Sequence, residues 1–168
     1  MGLESEFRLF DFDPDQMPPE ATAAIGRAVL AAIQNEELVV DAISAIARID
    51  ATALRITIMG CGASVKLEIL ARWCELIVDD AVKAELREII SDLNQANARR
   101  NAICHNPLMV DAENGTLSRS QASRPKQIVK HGIVRRIDLT AAAIAEDADF
   151  IKGAGLRLNS FISRVFRR

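Results

Sequence analysis

The chain is 168 residues long, 49% hydrophobic and 26% charged, with a formal net charge of -2. This length suits one domain with a buried core, and the hydrophobic content excludes wholesale disorder. Aromatic residues make up 4% of the chain, tyrosine is absent, and alanine, isoleucine and leucine are abundant, which favours helices over a β-sandwich.

The N-terminal end of the chain is acidic rather than basic and apolar. Residues 1–20 contain six acids and end in the pair Pro18-Pro19, so we expect an extended lead-in here. A secretory signal has a basic start and an apolar stretch, and a membrane helix needs about 18 uncharged apolar residues; the sequence has neither. We therefore expect a cytoplasmic protein without a membrane partner.

Helical periodicity begins after this lead-in and covers the first two thirds of the chain. Residues 20–47 carry apolar side chains mostly at steps of three and four, as one helix or as two with a break near Asn35. The predicted inward positions there are Ile25, Val29, Ala32, Ile33, Val39, Val40, Ile43 and Ile46. Residues 65–78 form a second stripe with Trp73 as a core anchor, and residues 81–105 form the clearest third helix.

The periodicity then changes to short apolar runs. Residues 108–110, 117, 128–129 and 133–134 predict short strands, and Asn114-Gly115 is typical of a type I′ hairpin turn. A final helix is predicted over residues 139–166, with a kink at residues 153–155 left open. We predict a mostly α fold: an up-and-down bundle of about four long helices in one domain, residues 21–168, with a small β-hairpin inserted at about residues 107–137.

Charge is distributed unevenly along the chain. Residues 1–50 hold ten acids against three arginines, whereas the stretch from residue 119 to residue 136 has no acid. Its six basic residues are Arg119, Arg124, Lys126, Lys130, Arg135 and Arg136. Such a stretch either is a solvated loop or gathers a phosphate backbone by releasing counterions.

Four polar residues fall near the end of the third predicted helix. At about 100° per residue, Asn97 and Arg100 point into the apolar stripe, while Asn101 and His105 lie on its flank. A buried arginine needs an anion, and Asp79, Asp80 and Asp92 are the internal carboxylates that we consider as partners. The alternative is a site where the guanidinium binds phosphate while an imidazole moves a proton.

The residues R-N-A-I-C-H, Arg100 to His105, resemble the R-x-x-x-x-H signature of the HEPN superfamily, including the polar residue after the arginine. The resemblance implies a small helical bundle with the motif at the end of a helix, and a metal-independent RNase whose active site forms across a homodimer. Asn106-Pro107 follows the histidine, where relatives often have glycine. A second arginine and histidine, Arg124 and His131, lie in a proline-containing, strand-like stretch, and we treat their spacing as coincidence.

The resemblance also implies a chemistry and a set of partners. His105 would move a proton, Arg100 would stabilise the phosphorane, and Asn101 would contact a phosphate oxygen or orient the imidazole. Asn97 and the six basic residues would bind the RNA backbone. The expected partners are RNA, a second copy of the chain, and an antitoxin-like protein of a toxin–antitoxin or phage-defence system.

One other function class remains open from the sequence, and the sequence disfavours several more. The same layout suits a non-catalytic helical module that binds a protein or a nucleotide. A cysteine hydrolase is disfavoured because Cys104 and His105 are adjacent on a helix and point about 100° apart. Cys61, Cys74 and Cys104 show no C-x-x-C pair and no zinc-ligand spacing, and residues 59–64 lack the P-loop lysine. We expect neither a metal nor another cofactor.

Overall fold

The computed structural model of the chain describes residues 17–105, 108–110, 117–122 and 134–166. Within them lie five α-helices and three β-strands. The helices are α1 (Pro19–Ala47), α2 (Ala51–Ile58), α3 (Ala63–Cys74), α4 (Asp80–Cys104) and α5 (Ala141–Val165). The strands are β1 (Leu108–Val110), β2 (Leu117–Ala122) and β3 (Val134–Leu139), and all three precede α5. The predicted mostly α bundle with a small β insertion before the last helix is confirmed.

Short polar side chains start three of the helices. The Asp50 carboxylate accepts from the amide of Ala53 at the start of α2, and the Asp79 carboxylate accepts from two amides at the start of α4. The Thr140 hydroxyl accepts from the Ala143 amide at the start of α5. Each cap satisfies a backbone donor that has no partner inside its helix, and this fixes where the helix begins.

Helix α1 is one continuous helix of 29 residues, so the break near Asn35 does not occur. The buried face in its first half consists of the small residues Ala21, Ala24, Ala28 and Ala31. Ile33, which we expected to face inward, is 54% exposed, and that prediction was wrong. Small side chains let two helix backbones approach closely, and α1 packs more extensively against α5 than against any other described element.

Helices α4 and α5 run antiparallel, and ion pairs along their shared edge show the alignment. Glu85 of α4 pairs with Arg164 of α5, Asp92 pairs with Arg157, and Arg99 pairs with Asp147. Residue numbers rise on one helix as they fall on the other. The apolar stripes predicted for both helices are buried between these pairs, with Leu86, Leu93, Ile151, Leu158 and Phe161 among the buried residues.

The inserted strands form an antiparallel sheet in the order β1-β2-β3. Leu108 pairs with Arg119, and Arg119 pairs in turn with Ile137 of β3. The sheet therefore adds a third strand to the predicted hairpin and extends to Leu139. Leu117 is buried, and Leu108, Val110 and Leu139 pack against the core. The predicted turn at Asn114-Gly115 and the strand at residues 128–129 lie outside the described residues.

None of the helices in the described part of the chain combines the length and the apolar character that crossing a membrane requires.

Candidate functional site

The last turns of α4 divide their side chains between two neighbouring faces. The buried positions shift to Ala96 and Ile103, while Asn97 and Arg100 lie at the edge of the buried stripe and are half-buried. Arg99 points towards α5, where it pairs with Asp147 at 2.6 Å and covers the Phe150 ring at 4.1 Å. The adjacent arginines therefore face different helices, and only Arg100 is directed towards α1 and α3.

The Arg100 guanidinium lies at the centre of a polar cluster. Its Nη2 donates to the Asn97 Oδ1 at 3.3 Å and lies 3.6 Å from Oε1 of Glu36 on α1. Its Nη1 lies 3.3 Å from the His105 Nε2. The Arg100 side chain is 21% exposed, so it is largely withdrawn from water but still reaches it. One guanidinium thus contacts a carboxylate, an amide and an imidazole.

The Glu36 carboxylate is shared between two cations. Its Oε2 accepts from the Nζ of Lys66 on α3 at 2.9 Å, and this Lys66 side chain is 12% exposed. The Glu36 to Arg100 distance of 3.6 Å exceeds the range of a normal hydrogen bond, so the two ion pairs are unequal. The carboxylate is bound firmly by Lys66 and only loosely by Arg100.

A small cavity of about 30 Å³ lies beside this cluster, between α1, α3, α4 and α5. Of the described residues that line it, three are charged, Glu36, Lys66 and Arg100, and most of the others are apolar. Room of this size suits about one ordered water. The cavity is too small for a nucleotide. His105 does not line it and lies exposed on Arg100.

His105 ends α4 and is exposed to solvent, and its backbone amide donates to the Asn101 carbonyl at 3.0 Å. Arginine only donates hydrogen bonds, so the contact between Nη1 and Nε2 is a hydrogen bond when Nε2 carries no proton. In a neutral imidazole this hydrogen bond requires the tautomer that carries its proton on Nδ1. Asn101 is half-buried, and its side chain makes no hydrogen bond within the described part of the chain.

The carboxylate beside Arg100 is not one of the three candidates that the sequence offered. Asp79 caps α4, and Asp92 pairs with Arg157. Asp80 lies exposed in the first turn of α4, at the helix end remote from Arg100. Glu36 takes this role because α1 crosses the end of α4, and its distance of 64 positions from Arg100 left no local signal.

Asn97 makes two side-chain hydrogen bonds within the cluster. Its Oδ1 accepts from Arg100, while its Nδ2 donates to the Oγ of Ser64 at 3.2 Å. This amide links α3 to the guanidinium and orients it. Together with Glu36 and Lys66, Ser64 is a cluster member that sequence reasoning missed, because only folding brings α3 to this place.

Three of the six predicted basic RNA contacts lie on described strands. Arg119 is on β2, and Arg135 and Arg136 are on β3 opposite Gln121 and Ser120. Arg124, Lys126 and Lys130 lie outside the described residues. Leu108 is the strand partner of Arg119 and follows His105 by three positions. The Cα atoms of His105 and Leu108 are therefore at most about 11 Å apart. The Cα atom of Arg119 therefore lies within about 17 Å of the Cα atom of His105.

The remaining candidate groups do not join the cluster. Cys74 is buried in the core, and this burial raises the pKa of its thiol, which keeps it protonated and unreactive. Cys104 is exposed and Cys61 is half-buried. No group of three or more histidine, cysteine or acidic side chains converges among the described residues.

The comparisons with known proteins give no match: no family model, no curated protein and no solved structure is similar to this chain.

Proposed function

We propose that this protein is a metal-independent endoribonuclease of the HEPN type that acts as a homodimer. The observation that carries the proposal is the exposed His105 imidazole, whose Nε2 lies 3.3 Å from the Arg100 guanidinium at the open end of α4. A solvent-exposed imidazole is thus adjacent to a permanent cation that is only 21% exposed. The R-x-x-x-x-H spacing agrees with this assignment.

RNA supplies its own nucleophile, so the protein needs only to move protons and to stabilise the developing charge. The 2′-hydroxyl loses its proton to His105, and its oxygen attacks the adjacent phosphorus. Arg100 stabilises the charge that develops on the non-bridging oxygens, and the bond to the 5′-oxygen breaks. The products are a 2′,3′-cyclic phosphate and a 5′-hydroxyl, which takes up a proton.

One imidazole serves one proton transfer at a time, and this is the physical reason for the homodimer in the proposal. A second His105, delivered across a two-fold axis, would protonate the leaving 5′-oxygen while the first accepts the 2′ proton. Exposure of His105 at the end of a helix leaves room for such a partner. Strand residues Arg119, Arg135 and Arg136 would bind the flanking phosphates.

The test is cleavage of a mixed-sequence RNA in EDTA by the wild type, His105→Ala and His131→Ala, followed by end-group analysis. We expect cyclic-phosphate ends from the wild type and from His131→Ala, and at least a hundredfold slower cleavage by His105→Ala, since general acid–base catalysis contributes about 10²–10⁴-fold. His131 is the matched control because the chain has only 2 histidines. Equal cleavage by all three proteins would exclude the proposal.

A non-catalytic module is the second candidate, and a specific observation favours it. The Arg100 guanidinium is largely buried and already contacts Glu36 and Asn97, so the cluster could serve only to join α1, α3 and α4. In that case Arg100→Ala would lower the thermal stability, and the wild type would cleave no RNA. The same assay, with a thermal denaturation of each variant, separates the two candidates.

A further inference from the structure

Glu36 and Lys66 are the charged neighbours of Arg100 for which the proposed reaction has no role. Both side chains are mostly buried, at 29% and 12% exposed, and both line the cavity beside Arg100. A catalytic arginine that must bind phosphate gains nothing from a carboxylate beside it, because the carboxylate competes with the phosphate for the same donors. Their presence therefore needs its own explanation.

The charges in the cluster do not balance. Among the described residues that line the cavity, Lys66 and Arg100 contribute two positive charges and Glu36 one negative charge. Lys66 forms the shorter pair with Glu36, so the charge left uncompensated is mainly on Arg100. A partly buried cation with an incomplete counter-ion attracts an anion from solution, because transfer from water is costly without one.

We infer that Glu36 is a positioning residue that occupies Arg100 until a phosphate group displaces it, and that Lys66 sets how strongly Glu36 competes. The ligand class is a phosphate monoester or diester, and its identity as an RNA phosphate rests on the proposed function. Arg100 then gives up its ion pair with Glu36 and its hydrogen bond with His105 and donates to the phosphate oxygens, which releases the Nε2 of His105 to accept a proton. Lys66 keeps Glu36 in place during the exchange.

The geometry supports an exchange rather than a permanent ion pair. The ion pair between Arg100 and Glu36 is 3.6 Å long, and the ion pair between Lys66 and Glu36 is 2.9 Å long. Loss of the Arg100 contact therefore leaves the Glu36 carboxylate with a good partner. The Asn97 amide, fixed by Ser64, continues to hold Nη2. Arg100 can therefore turn towards a ligand without leaving a buried charge unpaired.

Inorganic phosphate is the probe, because it tests the anion site without any RNA cleavage. We would titrate the full-length protein with sodium phosphate at constant pH and ionic strength, with sodium chloride as the reference, and follow the imidazole signals by NMR. His131→Ala assigns the two histidines. A saturable shift of the His105 signals alone is expected, since phosphate takes Arg100 away from Nε2.

Glu36→Gln and Lys66→Met should change the Kd for phosphate in opposite directions. Glu36→Gln removes the competing charge and should lower the Kd for phosphate about two- to fivefold, the range that one partly exposed charge pair supports. Lys66→Met removes the closer partner of Glu36, so Glu36 competes more strongly for Arg100. The Kd for phosphate should then rise by a similar factor. In the Glu36→Gln background the Lys66→Met substitution should have little further effect if Lys66 acts through Glu36.

Glu37→Gln is the matched control, because Glu37 is the next residue, is exposed, and pairs with Arg55 away from the cluster. A purely structural cluster would give weaker binding, or none, in both test variants. The inference is overturned by a phosphate Kd that Glu36→Gln leaves unchanged or raises, or by His105 signals that respond equally to chloride. RNA cleavage by the wild type is scored separately, so failure of the nuclease proposal and failure of the anion exchange give different results.

Discussion

Asn35 of α1 packs against Gly155 of α5. The Asn35 Nδ2 donates to the Ile151 carbonyl at 2.8 Å, one helical turn before Gly155, and its Oδ1 occupies the space where a Cβ of residue 155 would lie. A buried amide is stable here because its donor is bonded and its oxygen fits against a residue without a side chain. Gly155 therefore allows the close packing of Asn35 against α5.

Gly155→Ala should destabilise the protein by about 2–3 kcal/mol. The new methyl group overlaps Asn35, which must move and give up its hydrogen bond to Ile151, and overpacking of this kind costs about 1–3 kcal/mol before the lost bond is counted. Urea denaturation followed by circular dichroism measures the change in the free energy of unfolding.

Gly153→Ala is the matched control, because a Cβ at that position meets no atom within 4 Å. It should leave the stability unchanged or raise it by up to about 1 kcal/mol, the helix preference of alanine over glycine. In an Asn35→Ala background the cost of Gly155→Ala should largely disappear. A cost that persists in that background would show that the contact with Asn35 is not its cause.

At the scale of an element, the end of α1 has an unusual backbone conformation. Arg48 has φ 55° and ψ 39° and is the only described residue other than glycine with a positive φ. Its amide donates to the Ser44 carbonyl, and the Ile49 amide donates to the same oxygen at 3.2 Å. This left-handed residue ends α1 and turns the chain into α2, at a conformation that strains a side chain.

Arg48→Gly should stabilise the protein by about 0.5–1 kcal/mol, because glycine adopts the left-handed conformation without a steric cost. Thermal denaturation gives the change in Tm. Arg27→Gly, at an exposed position inside the same helix, should instead cost about 1 kcal/mol, since glycine there loses more backbone entropy. If both variants are destabilised alike, the positive φ of Arg48 is not a source of strain.

At the scale of the whole molecule, β1 begins three positions after His105, and β2 and β3 extend the sheet from β1. Arg135 and Arg136 lie on β3, beside the strand that pairs with β1. If they contact phosphates, replacing both by alanine should reduce the slope of log Kobs against log salt concentration by about 1.4, or 0.7 for each contact with single-stranded RNA.

The measurement uses His105→Ala protein, which keeps the RNA intact, and fluorescence anisotropy at several salt concentrations. Arg87→Ala is the control, because Arg87 lies in the first half of α4 and pairs with the exposed Glu75. Its slope should match that of the parent protein. An unchanged slope in the Arg135→Ala/Arg136→Ala protein would remove these two residues from the RNA surface.

Local sequence signals account for much of the fold. The 3.6-residue pattern around Leu86 and Leu93 predicts α4 to within a residue at each end, and the short apolar run at residues 108–110 predicts β1. The pattern misled in α1, where the bulky Ile33 was assigned to the core in place of the alanines. Alanine is common on both faces of a helix, so only close packing against α5 shows which alanines are buried.

By itself the sequence determined the helical class, the β insertion before the last helix, and the placement of Arg100 and His105 five positions apart at one helix end. These depend on periodicity and on local spacing, which the chain carries without folding. Only the tertiary structure decided that Glu36 and Lys66 stand beside Arg100 and that Asn35 packs on Gly155. Those contacts join residues 34 to 120 positions apart, and they arise where helices cross, which no local pattern encodes.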